Sequence, residues 1–223
     1  MPGAHLAVAE SALGFLLAFE LGLVQRNAAR KSDPAAGDLP ALRRRGLVGS
    51  TLGIVGMGRI GQRVAELAVG FGMTVRYFSR TRKPDAEREL GASFHELSEL
   101  VATCDSISLH LPMGSAEGPI DAHVLSHASE LTLINTTSIA TLVEPDALLE
   151  ALDCGRVAQF GLEGSYPPPY DERLRRYGDD RVLLLPPYSS YDTPYGDRLG
   201  WQSYLDTLAA VVQGEDVPYR IGT

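Results

Sequence analysis

Residues 51–61 place Gly56, Gly58 and Gly61 in G-x-G-x-x-G spacing, between an apolar run (Leu52, Ile54, Val55) and a helical stripe (Ile60, Val64, Leu67, Ala68). Each glycine has a physical job in such a turn. Gly56 permits the tight turn, Gly58 lets backbone approach a pyrophosphate, and Gly61 lets the following helix sit close to the strand. The helix N-terminus then offers free N–H groups and a positive dipole end to phosphate oxygens. A strand before, a helix after and a second strand at 74–78 make this a dinucleotide-binding turn, not an incidental glycine cluster.

The second chemical cluster follows that second strand. An NAD site places Asp or Glu about 20 residues past the glycines, on the ribose hydroxyls. Here the chain reads Ser79-Arg80-Thr81-Arg82-Lys83, with no acid before Asp85. A carboxylate repels a 2′-phosphate, whereas a guanidinium fork matches one. The expected cofactor is therefore NADP(H), held by Arg80 with Ser79 and Thr81. NAD(H) stays open if these side chains are only surface charge.

These residues need a scaffold, and the periodicity supplies one. Residues 4–26 read as one long helix, with Leu13, Leu16, Leu17, Leu21 and Val24 on a stripe and Phe15, Phe19 and Leu23 around its sides. A loop at 27–50 follows, with Arg43, Arg44 and Arg45 as a solvated run. Then strands at 51–55, 74–78, 105–109, 131–135, 157–162 and 181–185 alternate with helices at 59–70, 85–90, 95–102, 121–127, 145–153 and 196–213. Pro145 suits the first turn of its helix and Gly155 stops it. Such alternation predicts an α/β fold, a Rossmann-type doubly wound parallel sheet. The expected organisation is one nucleotide-binding domain over 1–223: helix and loop at 1–50, core at 51–190, helix and tail at 191–223.

Ligands of such sheets lie beyond the carboxyl ends of the strands. That rule gathers Gly56–Gly61, Ser79–Arg82, His110–Pro112, Asn135–Ser138, Glu163–Tyr166 and Pro186–Tyr191 around one crevice. The expected cofactor contacts are Gly56, Gly58, Arg59, Ile60, Gly61, Ser79, Arg80, Thr81, His110, Leu111, Pro112, Thr136, Thr137 and Glu163.

Composition narrows the partners. The chain has 223 residues, a net charge of −8 and 44% hydrophobic residues. The acidic balance argues against general binding to nucleic acid or a membrane surface. Glu10 and Glu20 interrupt the apolar 6–24 stretch, which reads as a buried or interface helix and not a membrane span. No basic region precedes it, so no signal peptide is read and a cytoplasmic location is expected. Cys104 and Cys154 form no metal or disulfide framework.

The string resembles the D-isomer-specific 2-hydroxyacid dehydrogenases. The matching pieces are Ala7-Val8-Ala9-Glu10, Thr51 to Gly61, Ser79 to Pro84, Ser108-Leu109-His110-Leu111-Pro112, Ile134-Asn135-Thr136, Leu142-Val143 and Gly155-Arg156-Val157-Ala158. Ser79 to Lys83 resembles the glyoxylate/hydroxypyruvate reductase branch. The resemblance implies a substrate domain before the Ala-Val-Ala-Glu helix, yet this chain begins almost at that helix. A missing lid and half-cleft are therefore expected.

The resemblance also implies a catalytic arginine, glutamate and histidine. After Asn135-Thr136 the chain reads Thr137-Ser138-Ile139-Ala140-Thr141, and no arginine lies between Arg82 and Arg156. Tyr166 stands where the glutamate is expected, and Pro187 is followed by Tyr188 where the histidine is expected. Reducing a 2-keto acid needs a cation for the carboxylate and an acid for the forming alkoxide. Tyrosine, with an ordinary pKa of about 10, is a poor acid without a nearby cation.

Two readings follow. One is an NADP(H)-binding sensor or scaffold. The other is a repurposed enzyme (a lyase, dehydratase, cyclase or unusual reductase), with Tyr188, Tyr166 and Ser138 as candidate catalytic residues in a pocket for an unknown small molecule. The clustered tyrosines (Tyr166, Tyr170, Tyr188, Tyr191, Tyr195) either line that pocket or fill space left by the absent domain. A weak NAD(P)-dependent 2-hydroxyacid oxidoreductase is the remaining alternative. The resemblance further implies packing of the first helix across a two-fold axis. A homodimer through residues 6–24 is expected, since Phe15, Phe19 and Leu23 need cover.

Overall fold

The structure, a computed structural model, describes residues 4–33, 46–112, 120–137, 139–186, 202, 205–206 and 208–213. Its elements run α1 (Ala4–Glu20), α2 (Leu23–Ser32), β1 (Thr51–Val55), α3 (Arg59–Gly70), β2 (Thr74–Phe78), α4 (Pro84–Leu90), β3 (Ser93–Phe94), α5 (Leu97–Thr103), β4 (Ser106–Leu109), α6 (Ala122–Leu125), β5 (Leu131–Asn135), α7 (Pro145–Asp153), β6 (Val157–Glu163), α8 (Tyr170–Leu174) and β7 (Val182–Leu185). The described strands form one sheet, ordered β3-β2-β1-β4-β5-β6-β7. Every pairing in it is parallel. It is the doubly wound sheet that the alternation predicts.

The order reverses between β1 and β4. The chain steps from β1 out to β3, then returns to place β4 on the other side of β1. Parallel strands covered on both faces read as continuous apolar runs. Leu52, Ile54 and Val55 on β1 and Ile107 and Leu109 on β4 are fully buried. Side chains alternate between two apolar layers. Ile54 and Ile134 join α1 and α3 on one face. Val55 and Leu133 join α5, α6 and α7 on the other.

The first helix corrects two expectations. The 4–26 stretch is not one helix: Gly22 adopts a left-handed φ of 58°, and α1 and α2 meet at 53°. Glycine takes this conformation with no Cβ penalty, so it ends a helix even inside an apolar stripe. Among the described residues no single helix is long and apolar enough to cross a membrane.

Nor does α1 leave its aromatic residues uncovered. Phe15 and Phe19 are 3% and 4% exposed within the single chain. α1 packs along α3 and over β5, and Phe15 lies against Gly161 of β6. Burial of this kind contributes roughly 1.5–3 kcal/mol per side chain. Phe15 and Phe19 therefore need no second subunit to cover them, and only Leu23 of the three stays exposed.

Smaller differences are local. β3 is a two-residue strand paired to β2, and α8 adds a short helix between β6 and β7. The C-terminal helix is described only at 202, 205–206 and 208–213. Arg43, Arg44 and Arg45 lie outside the described residues.

Candidate functional site

β1 and β4 end side by side, and their loops form the floor of the crevice. The His110 N–H donates to Val55 O at 2.8 Å and the Gly56 N–H to Phe78 O at 2.8 Å, so three strand ends are laced together. Gly56 has a φ of 100°, and a Cβ there would lie 2.5 Å from His110 O. Only glycine fits this crossing. A Cβ on Gly61 would collide with Gly56 O, whereas Gly58 has nothing within 4 Å of its Cβ position. The three glycines thus do different things. Gly56 and Gly61 hold chain against chain, and Gly58 keeps an approach open.

That approach leads to the start of α3. Gly58 is its N-cap and no side chain caps it. The first N–H groups of a helix have no intrahelical partner, and they carry its positive dipole end. Arg59 is exposed and Ile60 half-buried at this turn. The arrangement suits a pyrophosphate.

His110 and Thr136 supply a second sign of a ligand. They follow the paired residues Leu109 and Asn135 at the ends of β4 and β5. Both are buried, at 7% and 2% exposure. His110 Nδ1 and Thr136 Oγ1 have no hydrogen-bond partner among the described residues. Buried polar atoms are nearly always paired, so adjacent orphans at a crevice mark a place where a polar ligand fits. His110 Nε2 lies 2.9 Å from Ser108 Oγ. Burial pushes the imidazole down to about 3, so at neutral pH the ring is uncharged. It can either donate or accept at Nδ1, depending on how the Ser108 hydroxyl turns. Leu111 is half-buried and Pro112 exposed beside it.

The stretch expected to meet the ribose lies past β2. Arg80 and Thr81 are exposed, and no hydrogen bond or ion pair engages Arg80 among the described residues. Ser79 Oγ donates to Thr81 O at 2.6 Å, so its proton is already used. Arg82 is committed elsewhere: its Nε and Nη2 meet Glu87 Oε1 and Oε2 at 3.1 and 2.9 Å.

The stretches expected to face the nicotinamide lie past β5 and β6. Asn135 is fully buried. It donates to Ile139 O at 3.0 Å and accepts from Thr137 N and Oγ1 at 3.1 and 2.7 Å, so it shapes the turn. Glu163, 3% exposed, accepts from Ser11 Oγ of α1 at 2.7 Å. α1 therefore reaches the site, a link between residues 152 positions apart that no local pattern announces.

Tyr166 corrects an expectation. It is 3% exposed and its hydroxyl donates to Val143 O at 2.9 Å. Burial holds its proton well above the ordinary tyrosine range. It packs as a core residue with a satisfied hydroxyl, not as an acid facing a substrate. Tyr170 and Tyr177 likewise bond to Asp146 and Asp153. Ser138 and Tyr188 lie outside the described residues, as do Tyr191 and Tyr195.

A cleft of about 550 Å³ opens beside Gly164, Ser165 and Leu185. Its charged pair, Arg175 and Asp171, is closed on itself at 2.6 Å. No group of three or more His, Cys, Asp or Glu among the described residues is placed to hold a metal ion.

Residues 14–188 match the family described as D-isomer specific 2-hydroxyacid dehydrogenase, NAD binding domain. The chain is 40% identical over 148 residues to a glyoxylate reductase of Thermococcus litoralis, covering 63% of this chain and 43% of that protein. It is 36% identical over 177 residues to a glyoxylate reductase of Thermococcus kodakarensis, covering 76% and 50%. The chain thus spans about half the length of the curated relatives it matches. A solved structure from Thermus thermophilus superposes with a TM-score of 0.81 at 31% identity, covering 99% of this chain and 69% of that one.

Proposed function

The chain belongs to the D-isomer-specific 2-hydroxyacid dehydrogenase family through its NAD-binding domain, and we propose that it binds NADP(H) but, for want of the expected catalytic side chains, does not reduce ordinary 2-keto acids at a useful rate. The observation that carries the binding half is the uncapped start of α3, opening at Gly58 onto free space. Gly58 to Gly61 would hold the pyrophosphate. His110 and Thr136, each with an orphaned buried atom, would take polar groups of the cofactor further along the crevice. Glu163 and Thr137 stand at its nicotinamide end. The group itself supplies or accepts a hydride when bound; the residues named here orient it.

Preference for NADP(H) is supported by Arg80, exposed and uncommitted where an NAD site has a carboxylate. Titration calorimetry tests it. NADPH should bind more tightly than NADH, and Arg80→Asp should reverse the order. Equal affinities, unmoved by the substitution, would show that these side chains are only surface charge.

The absence of ordinary reduction rests on residues 135–141, which carry no cation for a substrate carboxylate. Asn135 turns its amide inward, and Tyr166 keeps its proton on Val143 O. A repurposed chemistry would then fall to Tyr188 and Ser138, the candidates that the sequence offers. A second reading, hydride transfer after all, is favoured by the likeness to glyoxylate reductases. One assay separates them. Glyoxylate, hydroxypyruvate and pyruvate are offered with NADPH, and absorbance of the reduced cofactor is followed. No turnover supports the binding role; turnover abolished by Gly58→Asp establishes the second reading. Self-association through residues 6–24 would use the exposed Leu21 and Leu23, and light scattering gives the mass directly.

A further inference from the structure

The loop between β2 and α4 is held by a network that the cofactor reading does not require. Tyr77 is fully buried on β2, with its ring edge-on to Phe94 of β3 at 5.6 Å. Its hydroxyl nevertheless makes two short bonds. It accepts from the Lys83 N–H at 2.6 Å and donates to Glu87 Oε1 at 2.6 Å. Glu87, on α4, in turn holds both Arg82 nitrogens, and the Arg82 guanidinium lies 5.6 Å from the Phe94 ring.

The loop is therefore tethered at both ends. At its start, Phe78 O accepts from Gly56 N, the first glycine of the pyrophosphate turn. At its end, Lys83 N is fixed on Tyr77. Between the tethers only Ser79, Arg80, Thr81 and Arg82 span the gap. Arg82 is engaged with Glu87 and Ser79 with Thr81 O. Arg80 is left as the uncommitted guanidinium of that span.

We propose that Tyr77 and Glu87 are positioning residues for recognition of the 2′-phosphate. They fix the 79–83 loop relative to the pyrophosphate turn and keep Arg82 occupied, so that Arg80 is presented at a set distance. The inference rests on the NADP(H) reading above. Preorganisation of this kind raises affinity by removing the ordering cost at binding. It matters for the phosphate-bearing ligand and hardly at all for one that lacks the phosphate.

The test compares ligands that differ only in that phosphate. NADPH and NADH are titrated against the full chain. So are adenosine 2′,5′-bisphosphate and 5′-AMP, which carry no nicotinamide. Tyr77→Phe keeps the buried ring and deletes both bonds. It should weaken NADPH and the bisphosphate by about fivefold and leave NADH and 5′-AMP within about twofold. Glu87→Ala, on a partly exposed side chain, should do the same if the ring variant folds poorly. Glu87→Gln still offers Tyr77 an oxygen and should restore most of the difference.

Equal weakening of both ligand pairs by Tyr77→Phe and Glu87→Ala, or none, would overturn the proposal. Arg80→Ala tells the two levels apart. A collapsed NADPH-to-NADH ratio there, with Tyr77→Phe unchanged, removes the positioning role alone. An unchanged ratio in Arg80→Ala removes the NADP(H) reading itself.

Discussion

Gly61, in the first turn of α3, faces the carbonyl oxygen of Gly56 with no room for a methyl group between them. The neighbour is backbone and cannot rotate away, so Gly61→Ala must push the helix off the strand. Overpacking of this sort costs about 1–3 kcal/mol, more than the roughly 1 kcal/mol that alanine returns in helix propensity. Gly58→Ala meets nothing. Thermal melts should show Gly61→Ala destabilised and Gly58→Ala within about 1 kcal/mol of the parent. Calorimetry should nonetheless show Gly58→Ala binding dinucleotide more weakly, because its methyl occupies the approach to the α3 terminus.

Phe19 offers a test of where α1 is covered. It is 4% exposed in the single chain. Phe19→Glu therefore buries an unpaired carboxylate and should unfold the chain, at a cost on the order of 3–5 kcal/mol. Circular dichroism with light scattering checks it. A folded monomer formed from a parent dimer would show instead that the ring lies at a subunit interface.

His110 makes stability depend on acid. Its folded-state value of about 3 lies below the ordinary 6.5 because burial disfavours the imidazolium. Between those values the unfolded chain binds a proton that the folded chain does not. Stability is therefore complete above about pH 6.5 and falls as pH drops towards 3, with a slope of at most about 1.4 kcal/mol per unit. Urea unfolding across that range should show the slope reduced in His110→Gln relative to the parent. Identical slopes would place the acid sensitivity in other groups.

The two thiols should differ in reactivity. Cys104 is buried and its pKa is pushed up to about 12 by desolvation. Cys154 is exposed. A disulfide reagent should label one thiol per native chain, mapped by mass spectrometry to Cys154, and two after denaturation. Reaction follows thiolate character and access. Prompt native labelling of Cys104 would show that α5 opens readily from β1.

Much of the β1–α3–β2 unit was legible along the chain. Apolar runs, glycine spacing and a helical stripe are local patterns, and they marked β1, α3 and β2 to the residue. Pro145 and Gly155 bounded α7 in the same way, because caps act within one turn. The alternation also announces the parallel sheet, which sets the described ends of β1, β2, β4, β5 and β6 along one edge.

Tertiary structure decided the rest. Gly22 sits in an apolar stripe, and only the packing of α1 on the sheet shows that the helix turns there. Tyr166 has the residue type for proton transfer, but its depth and its bond to Val143 O, 23 positions away, make it a packing residue. Ser11 meets Glu163 through the packing of α1 on the sheet, and Tyr77 meets Lys83 and Glu87 through the return of the chain from β2 into α4. Periodicity reports which face of an element is apolar. Which distant side chain meets it there, and whether a polar atom ends satisfied or orphaned, is set by contacts that form only when the layers close.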